Sequence, residues 1–341
     1  MLLQVATLDR FEPADHILAA RRPVPHYRHQ VHVLVDGLRD TVEVVPHLGI
    51  GVVTGAGSLH ITRIQRVKES VGHVGKSHGR QSRLTAMTTH WNRALVTGAS
   101  SGIGRAFATQ LAAAGTDLVV VARDTERLEA LADEFTVDVE VLTADLGDPA
   151  AVSTVADRLR AVEDPVDLLV NNAGIGFAKP TLDTPDAADE RTVAVNVVAL
   201  HRLTRAAGHA MVERGGGTIL NVSSIAGDMP GPQSGTYNAT KAFVTSLSEA
   251  LHSQLKDQKV TVTALCPGLT RTEFHDRAGI PDMHAPAIVW QTADEVAKAG
   301  LAGAAAGKAV VIPGLLNKSA SRLLRSLPRS VTRAVVGAAR S

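Results

Sequence analysis

Thr97-Gly98-Ala99-Ser100-Ser101-Gly102-Ile103-Gly104 follows the apolar run Ala94-Leu95-Val96 and leads into Arg105 to Ala114, a segment of helical character. A buried strand that passes through a glycine-rich turn into a helix offers a pyrophosphate the backbone N–H groups and positive dipole end of the helix N-terminus. Gly98 allows the tight turn, Gly102 lets the backbone approach phosphate oxygens, and Gly104 lets the helix pack close to the strand. Ser100, Ser101 and Ile103 belong to the same expected dinucleotide site. The spacing Gly-x-x-x-Gly-x-Gly differs from the commoner Gly-x-Gly-x-x-Gly, and ordinary tight loops also collect glycines, so the rest of the chain has to decide.

Outward from that loop, strand and helix patterns alternate, which argues for a doubly wound α/β sheet. Leu118 to Ala122 is a continuous apolar, β-branched run, as a parallel strand buried on both faces requires. Helices are expected at Asp124 to Phe135, Pro149 to Val162, Asp186 to Val212, Tyr237 to Lys256 and Thr292 to Ala306. Strands are expected at Val137 to Leu142, Asp167 to Val170, Thr218 to Val222, Val260 to Cys266 and Ala309 to Ile312.

The end of the second strand bears on the cofactor. An acidic residue there, about 20 residues or a little more beyond the loop, takes the ribose hydroxyls of NAD, whereas a basic one accommodates the 2′-phosphate of NADP. Arg123 occupies this point, with Arg127 one turn further on and Asp124 between them, so NADP is favoured over NAD. Arg127 reads equally as a solvated helix charge. Asp145-Leu146, after the third strand, offers a carboxylate to the adenine amino group, or else a helix cap, and spacing leaves both open. Asn171-Asn172-Ala173-Gly174 gathers amides and small residues at the end of the fourth strand, where ligands lie in open α/β sheets.

Tyr237-Asn238-Ala239-Thr240-Lys241 places a phenol and an ammonium at i and i+4 on one helical face, where the charge is expected to lower the phenol pKa and make it a usable acid–base group. Ser224, upstream at a strand end, is placed to donate to a substrate carbonyl oxygen. Taken together, Thr97 to Gly104, Asp145, Asn171 to Gly174, Asn196, Ser224, Tyr237, Lys241 and Pro267-Gly268 stand in the order and approximate spacing of the short-chain dehydrogenase/reductase family, and the resemblance covers roughly Asn92 to Pro313. It implies a Rossmann fold with a seven-stranded parallel sheet, a nicotinamide cofactor and a Ser-Tyr-Lys-Asn active site. On that resemblance Tyr237 is the acid in reduction or base in oxidation, and Lys241 depresses its pKa and holds the nicotinamide ribose. Ser224, preferred to Ser223 for its spacing from Tyr237, positions the carbonyl, and Asn196 holds a water linking the lysine to solvent. Pro267-Gly268 and Thr272 lie over the nicotinamide, and homodimers or homotetramers form through the Asp186 and Tyr237 helices.

The implied reaction is hydride transfer between nicotinamide C4 and a carbonyl or secondary alcohol carbon. In this family the segment after Pro267-Gly268 folds over the substrate. Here that lid is residues 269–291, with Phe274, Ile280, Met283, Ile288, Val289 and Trp290, which suggests an apolar small molecule, although such residues would equally pack a lid onto the protein. The alternative is a non-catalytic NADP(H)-binding sensor on the same fold, disfavoured because all four catalytic positions are filled.

Residues 1–86 differ from the rest. They hold His16, His26, His29, His32, His47, His60, His73 and His78, more than half of the 14 histidines, and Val31 to Val35, Thr41 to Val45 and Ile50 to Thr54 are short strand candidates. Thr54-Gly55-Ala56-Gly57-Ser58 imitates a dinucleotide loop, but Leu59-His60-Ile61 follows where glycines and a helix are needed, so it reads as a turn. His26-x-x-His29-x-x-His32 lacks the cysteine or carboxylate pair that would complete a metal site, and no metal is expected. This stretch is expected to be a poorly structured N-terminal extension, with Met87 as the functional start of a catalytic domain spanning 87–314. A net charge of +1 gives no reason to expect nucleic acid, and one cysteine, Cys266, fits a reducing, cytoplasmic setting. No apolar run approaches the ~20 residues of a membrane span, and no basic signal-peptide region precedes the first apolar residues. Residues 315–341 form a basic amphipathic tail, with Lys318, Arg322, Arg325, Arg329 and Arg333 among leucines and valines and Pro328 as an interruption. Such a segment can lie on an anionic membrane, but packing against the core or a subunit is the commoner outcome.

Overall fold

The structure is a computed structural model that describes residues 30–32, 41–45, 50–55, 58–63, 91–279 and 286–338. Met1–Arg83 and Leu84–Ser341 are two compact units. In the first, Gln30–His32, Thr41–Val45, Ile50–Gly55 and Ser58–Arg63 pair in that order as an antiparallel sheet. The fourth strand is additional to the sequence expectation, although Leu59 and Ile61 alternate with polar neighbours as a strand requires. Gly55 pairs with Ser58, so the glycine run at Thr54 to Ser58 turns a hairpin and does not enter a helix. Met87, His26 and His29 lie outside the described residues.

In the second unit seven strands form one parallel sheet. They are β1 (Arg93–Thr97), β2 (Asp117–Ala122), β3 (Val139–Thr143), β4 (Leu168–Asn171), β5 (Gly217–Val222), β6 (Val260–Leu265) and β7 (Val310–Val311). Their order across the sheet is β7-β6-β5-β4-β1-β2-β3. The chain lays β1 to β3 outward in one direction and then returns to place β4 on the other side of β1. This reversal opens a crevice at the carboxyl ends of β1 and β4.

Helices cover both faces, which is why the strands read as unbroken apolar runs. Successive strand residues point to opposite faces. Ala94, Val96, Leu118, Val120, Leu168 and Val170 pack with Phe107 and Leu111 of α1 (Gly102–Ala113), Leu128 and Leu131 of α2 (Thr125–Asp133), and Val296 of α8 (Ala293–Ala305). Leu95, Val119, Val121, Leu169 and Ile219 pack on the other side with Val152, Val155 and Leu159 of α3 (Pro149–Arg160) and Leu203 and Met211 of α5 (Leu200–Glu213).

The expected helix from Asp186 to Val212 runs through, with one widened turn inside it. α4 (Asp186–Val193) passes into a π-helical turn, Ala194–Ala199, before α5. Apolar periodicity cannot register this one-residue widening, because the same side still faces the core. α6 (Gly235–Leu255) begins after Ser234, which adopts a left-handed φ of 60°. Beyond β6, Thr270–Arg271 pairs in parallel with Gln291–Thr292 and closes the base of the segment that contains α7 (Phe274–Arg277). Ile280 and Met283 of the expected lid lie outside the described residues. The tail folds as α9 (Leu315–Ser326) and α10 (Arg329–Ala338), parted at Pro328, where a missing N–H ends one helix and suits the start of the next.

Candidate active site

The glycine loop leaves β1 with Gly98 at φ 68° and Gly102 at φ 56°, conformations that side chains resist. Gly98 N and Ala99 N donate to Val121 O, at 2.7 and 3.3 Å, which holds the loop against the end of β2. A Cβ on Gly104 would run into the carbonyl oxygen of Gly98, so α1 can begin this close to the strand only with glycine there. The first turn of α1 carries no acidic residue, and the Ser101 side chain makes no capping bond. The N-terminal N–H groups thus face outward without a competing carboxylate, a donor set that suits a pyrophosphate.

Asn172, expected as a cofactor contact, is bonded to the glycine loop itself. Its Nδ2 donates to Thr97 O at 2.9 Å and Gly98 O at 3.3 Å. Thr97 Oγ1 accepts from Asn172 N at 2.9 Å and Ala173 N at 3.0 Å. The two residues staple the glycine loop to the end of β4, a partnership that neither motif announces alone. Ala173 and Gly174 follow at the same edge of the sheet.

Arg123 stands exposed at the carboxyl end of β2. Asp124, its acidic neighbour, caps α2 by accepting from Arg127 N at 3.1 Å. Arg127 pairs with Glu273 at 3.1 Å across the loop mouth, and Glu273 also pairs with Arg277, which reaches Ser101 Oγ at 3.4 Å. Both arginines hold the Glu273 carboxyl below its ordinary pKa. Asp145 has partners that its spacing did not reveal. Arg191 Nη2 of α4 donates to both carboxylate oxygens at 2.7 Å, Gly147 N donates at 2.9 Å, and the pKa is lowered chiefly by Arg191. Leu146 is buried in the core, so only its backbone faces the edge.

Ser224, Tyr237, Lys241 and Asn196 converge at the carboxyl ends of β4 and β5. Ser224 lies beside the Tyr237 hydroxyl, whose pKa it lowers, and its Oγ accepts from Ala226 N at 3.1 Å. Ser223 turns inward and donates to Lys241 O at 2.7 Å. The Tyr237 ring keeps some exposure, but the hydroxyl is surrounded by protein. Burial pushes its pKa up to about 12, against a smaller downward effect of Ser224. Lys241 is buried, donates to Val222 O at 2.8 Å, and is pushed down to about 8 by burial.

The expected lowering of the phenol by the lysine is therefore not what this geometry produces. Nζ lies 5.7 Å from the Tyr237 ring centroid and is directed at a backbone carbonyl, and burial raises the phenol pKa. Asn196 lies within the π turn. Its Oδ1 accepts from Ile175 N at 2.9 Å, and its Nδ2 donates to Ile175 O at 2.8 Å and Thr240 Oγ1 at 3.1 Å. The side chain ties the loop after β4 to α6, with Gly174 packed between Lys241 Nζ and Asn196 Oδ1.

The segment beyond β6 closes over this edge. Thr272 lies against Gly102, where an added Cβ would meet its side chain at 3.2 Å. Phe274 places its ring 5.6 Å from that of Tyr237. Gly268 packs directly against the Asn317 amide of α9, and Pro267 O accepts from Ser224 Oγ at 3.4 Å. Gly176, Glu273, Arg277 and Asn317 are site residues that sequence reasoning missed, because each matters through a partner distant in the chain.

Known proteins share this arrangement. The model of the short chain dehydrogenase family matches residues 92–280. Sulfoacetaldehyde reductase 2 of Chromohalobacter salexigens is 41% identical over 184 residues, which are 53% of this chain and 73% of that protein. A very-long-chain 3-oxoacyl-CoA reductase of Anas platyrhynchos is 35% identical over 191 residues, 53% of this chain and 60% of that one. Among solved structures, a short-chain dehydrogenase from Sphingobium yanoikuyae in complex with NADPH is 38% identical, with a TM-score of 0.62 over 69% of this chain and 96% of the other. The family match takes in the glycine loop, Asn196, Ser224, Tyr237 and Lys241, and the chain belongs to the short chain dehydrogenase family of nicotinamide-dependent oxidoreductases.

Proposed function

We propose that this chain is an NADP-preferring reductase of an apolar ketone or aldehyde, with Tyr237 as its proton donor. The observation that carries the reading is the convergence of Ser224, the Tyr237 hydroxyl and buried Lys241 at one edge of the sheet, with the Phe274 ring 5.6 Å from that of Tyr237. A carbonyl oxygen seated between Ser224 and Tyr237 receives two donors at the point where negative charge develops in the transition state. A phenol raised to about 12 stays protonated at neutral pH and can donate, which favours reduction. Lys241 holds a cationic donor beside the ribose position, and Asn196 fixes the wall around it. The bound nicotinamide supplies or accepts the hydride, and the chemistry of that transfer belongs to the cofactor.

Three features support NADP. Arg123 is at the end of β2, Asp124 is committed to capping α2, and a solved relative is in complex with NADPH. The aromatic side of the site favours an apolar substrate, and the two named relatives carry an aldehyde and a 3-oxoacyl group in their names. The test is NADPH oxidation across a panel of ketones and aldehydes with a Tyr237→Phe control. Turnover of apolar carbonyls by the parent and its loss in the control is the expected result. Unchanged turnover in Tyr237→Phe overturns the assignment, and nucleotide binding without turnover across the panel makes the chain a sensor.

A further inference from the structure

The tail does not pack as its amphipathic pattern predicts. In α9 Asn317 and Ser321 face the protein, while Lys318, Ser319 and Arg322 are exposed. Ser321 is buried and donates to Asp228 Oδ2 at 2.7 Å, and Asn317 Nδ2 donates to Gln291 Oε1 at 3.0 Å while lying against Gly268. Three leucines of α9 face away, with exposed Ser319 among them: Leu315 is 83% exposed, Leu323 61% and Leu316 51%. At 3.6 residues per turn these three fall within an arc of about 100°, opposite Asn317 and Ser321. Exposed Lys318 and Arg322 border the strip, and in α10 Val331 and Arg333 are exposed as well.

A helix that served only to complete the core would bury its leucines and leave serine and asparagine in water. Here Ser321 and Asn317 are committed to Asp228 and Gln291, and the strip of Leu315, Leu316 and Leu323 is left for something else to cover. Charge selects the cover. Residues 315–341 contain six lysines and arginines and no aspartate or glutamate. A second copy of the same strip would bring like charge against like charge, with no acid on either side to pair. An anionic lipid surface fits both properties, with leucines in the acyl boundary and cations among the headgroups. We propose that α9 and the residues after it are a docking surface for membranes rich in anionic phospholipid. No helix among the described residues is long and apolar enough to cross a membrane, so the tail lies in the interface plane. The bonds that turn the leucines outward also tie α9 to Asp228, four residues past Ser224, and so hold the catalytic edge of the sheet beside the lipid.

The test is co-sedimentation of the full chain with phosphatidylcholine vesicles that contain or lack phosphatidylglycerol. The full chain is expected to pellet with the anionic vesicles, remain in solution with the neutral ones, and lose about tenfold in binding as salt screens the headgroups. Leu315→Glu/Leu323→Glu is expected to lower binding about tenfold or more, and Lys318→Glu/Arg322→Glu to do the same through charge. Thermal unfolding of each variant checks that it is folded, and the charge variant carries the test if the leucine variant is not. Failure of the full chain to bind anionic vesicles, equal binding to neutral ones, or undiminished binding by the folded variants overturns the proposal. So does loss of self-association in the leucine variant when the parent binds no vesicle, which would assign the strip to a second copy.

Discussion

Burial shifts both Tyr237 and Lys241 toward their neutral forms, the phenol up to about 12 and the lysine down to about 8, which leaves the lysine cationic at neutral pH. Replacing the Tyr237 hydroxyl by hydrogen removes the proton donor while the ring still packs on Phe274 and Gly176. Tyr237→Phe is therefore expected to lower turnover about 10²–10⁴-fold with little change in thermal stability. Lys241 gives a pH signature. Between about pH 8 and its ordinary value of 10.5, the unfolded chain binds a proton that the folded chain has released, so stability rises with pH through that window. Tyr237 acts oppositely between pH 10 and about 12, where the folded state retains the proton and stability falls. Denaturant unfolding of the parent against Lys241→Met between about pH 8 and pH 10 should show the parent gaining about 2 kcal/mol relative to the variant. Parallel curves would show that burial does not control this lysine. At Arg123, replacement by serine is expected to raise the KM for NADPH about tenfold or more and leave that for NADH nearly unchanged. Equal loss for both cofactors would mean that Arg123 does not read the 2′-phosphate.

At the scale of elements, the cofactor edge depends on joints between pieces far apart in the chain. Thr97 Oγ1 is the acceptor for two backbone N–H groups of the loop after β4. Thr97→Val keeps the shape and leaves both donors without that partner, which is expected to cost about 1–3 kcal/mol in unfolding and to weaken dinucleotide binding, measured by denaturant titration and nucleotide fluorescence. Undiminished stability would show that water replaces the threonine. The order of elements was legible in the sequence because apolar runs and turn residues carry it directly. The widened turn between α4 and α5 was not. A π turn adds one residue without changing which residues are apolar, and Asn196 is aimed by that turn. Asp145 showed the same limit. Its position at a strand end was plain, whereas its pairing with Arg191, 46 residues on, is a product of packing.

Assembly and surface belong to the whole molecule. Val193, Val198 and Phe243 are exposed on α4, the π turn and α6, the helices expected to carry subunit contact. Val198→Glu/Phe243→Glu is expected to convert an oligomer to monomers in sedimentation velocity, since a charge replaces a buried aromatic anchor of about 2 kcal/mol or more. An unchanged sedimentation coefficient would place the interface elsewhere.

By itself the sequence determined the alternation of strands and helices and the glycine loop, because each rests on short-range spacing along one chain, and its resemblance to the family named Ser224, Tyr237, Lys241 and Asn196 as the candidate catalytic residues. Only the tertiary structure decided that Asn172 is bonded to the loop, that Asp124 is a helix cap, that burial raises the Tyr237 pKa, and that Leu315, Leu316 and Leu323 of α9 face outward. These depend on which distant groups share a low-dielectric interior or compete for one hydrogen bond, and spacing in sequence does not encode that competition.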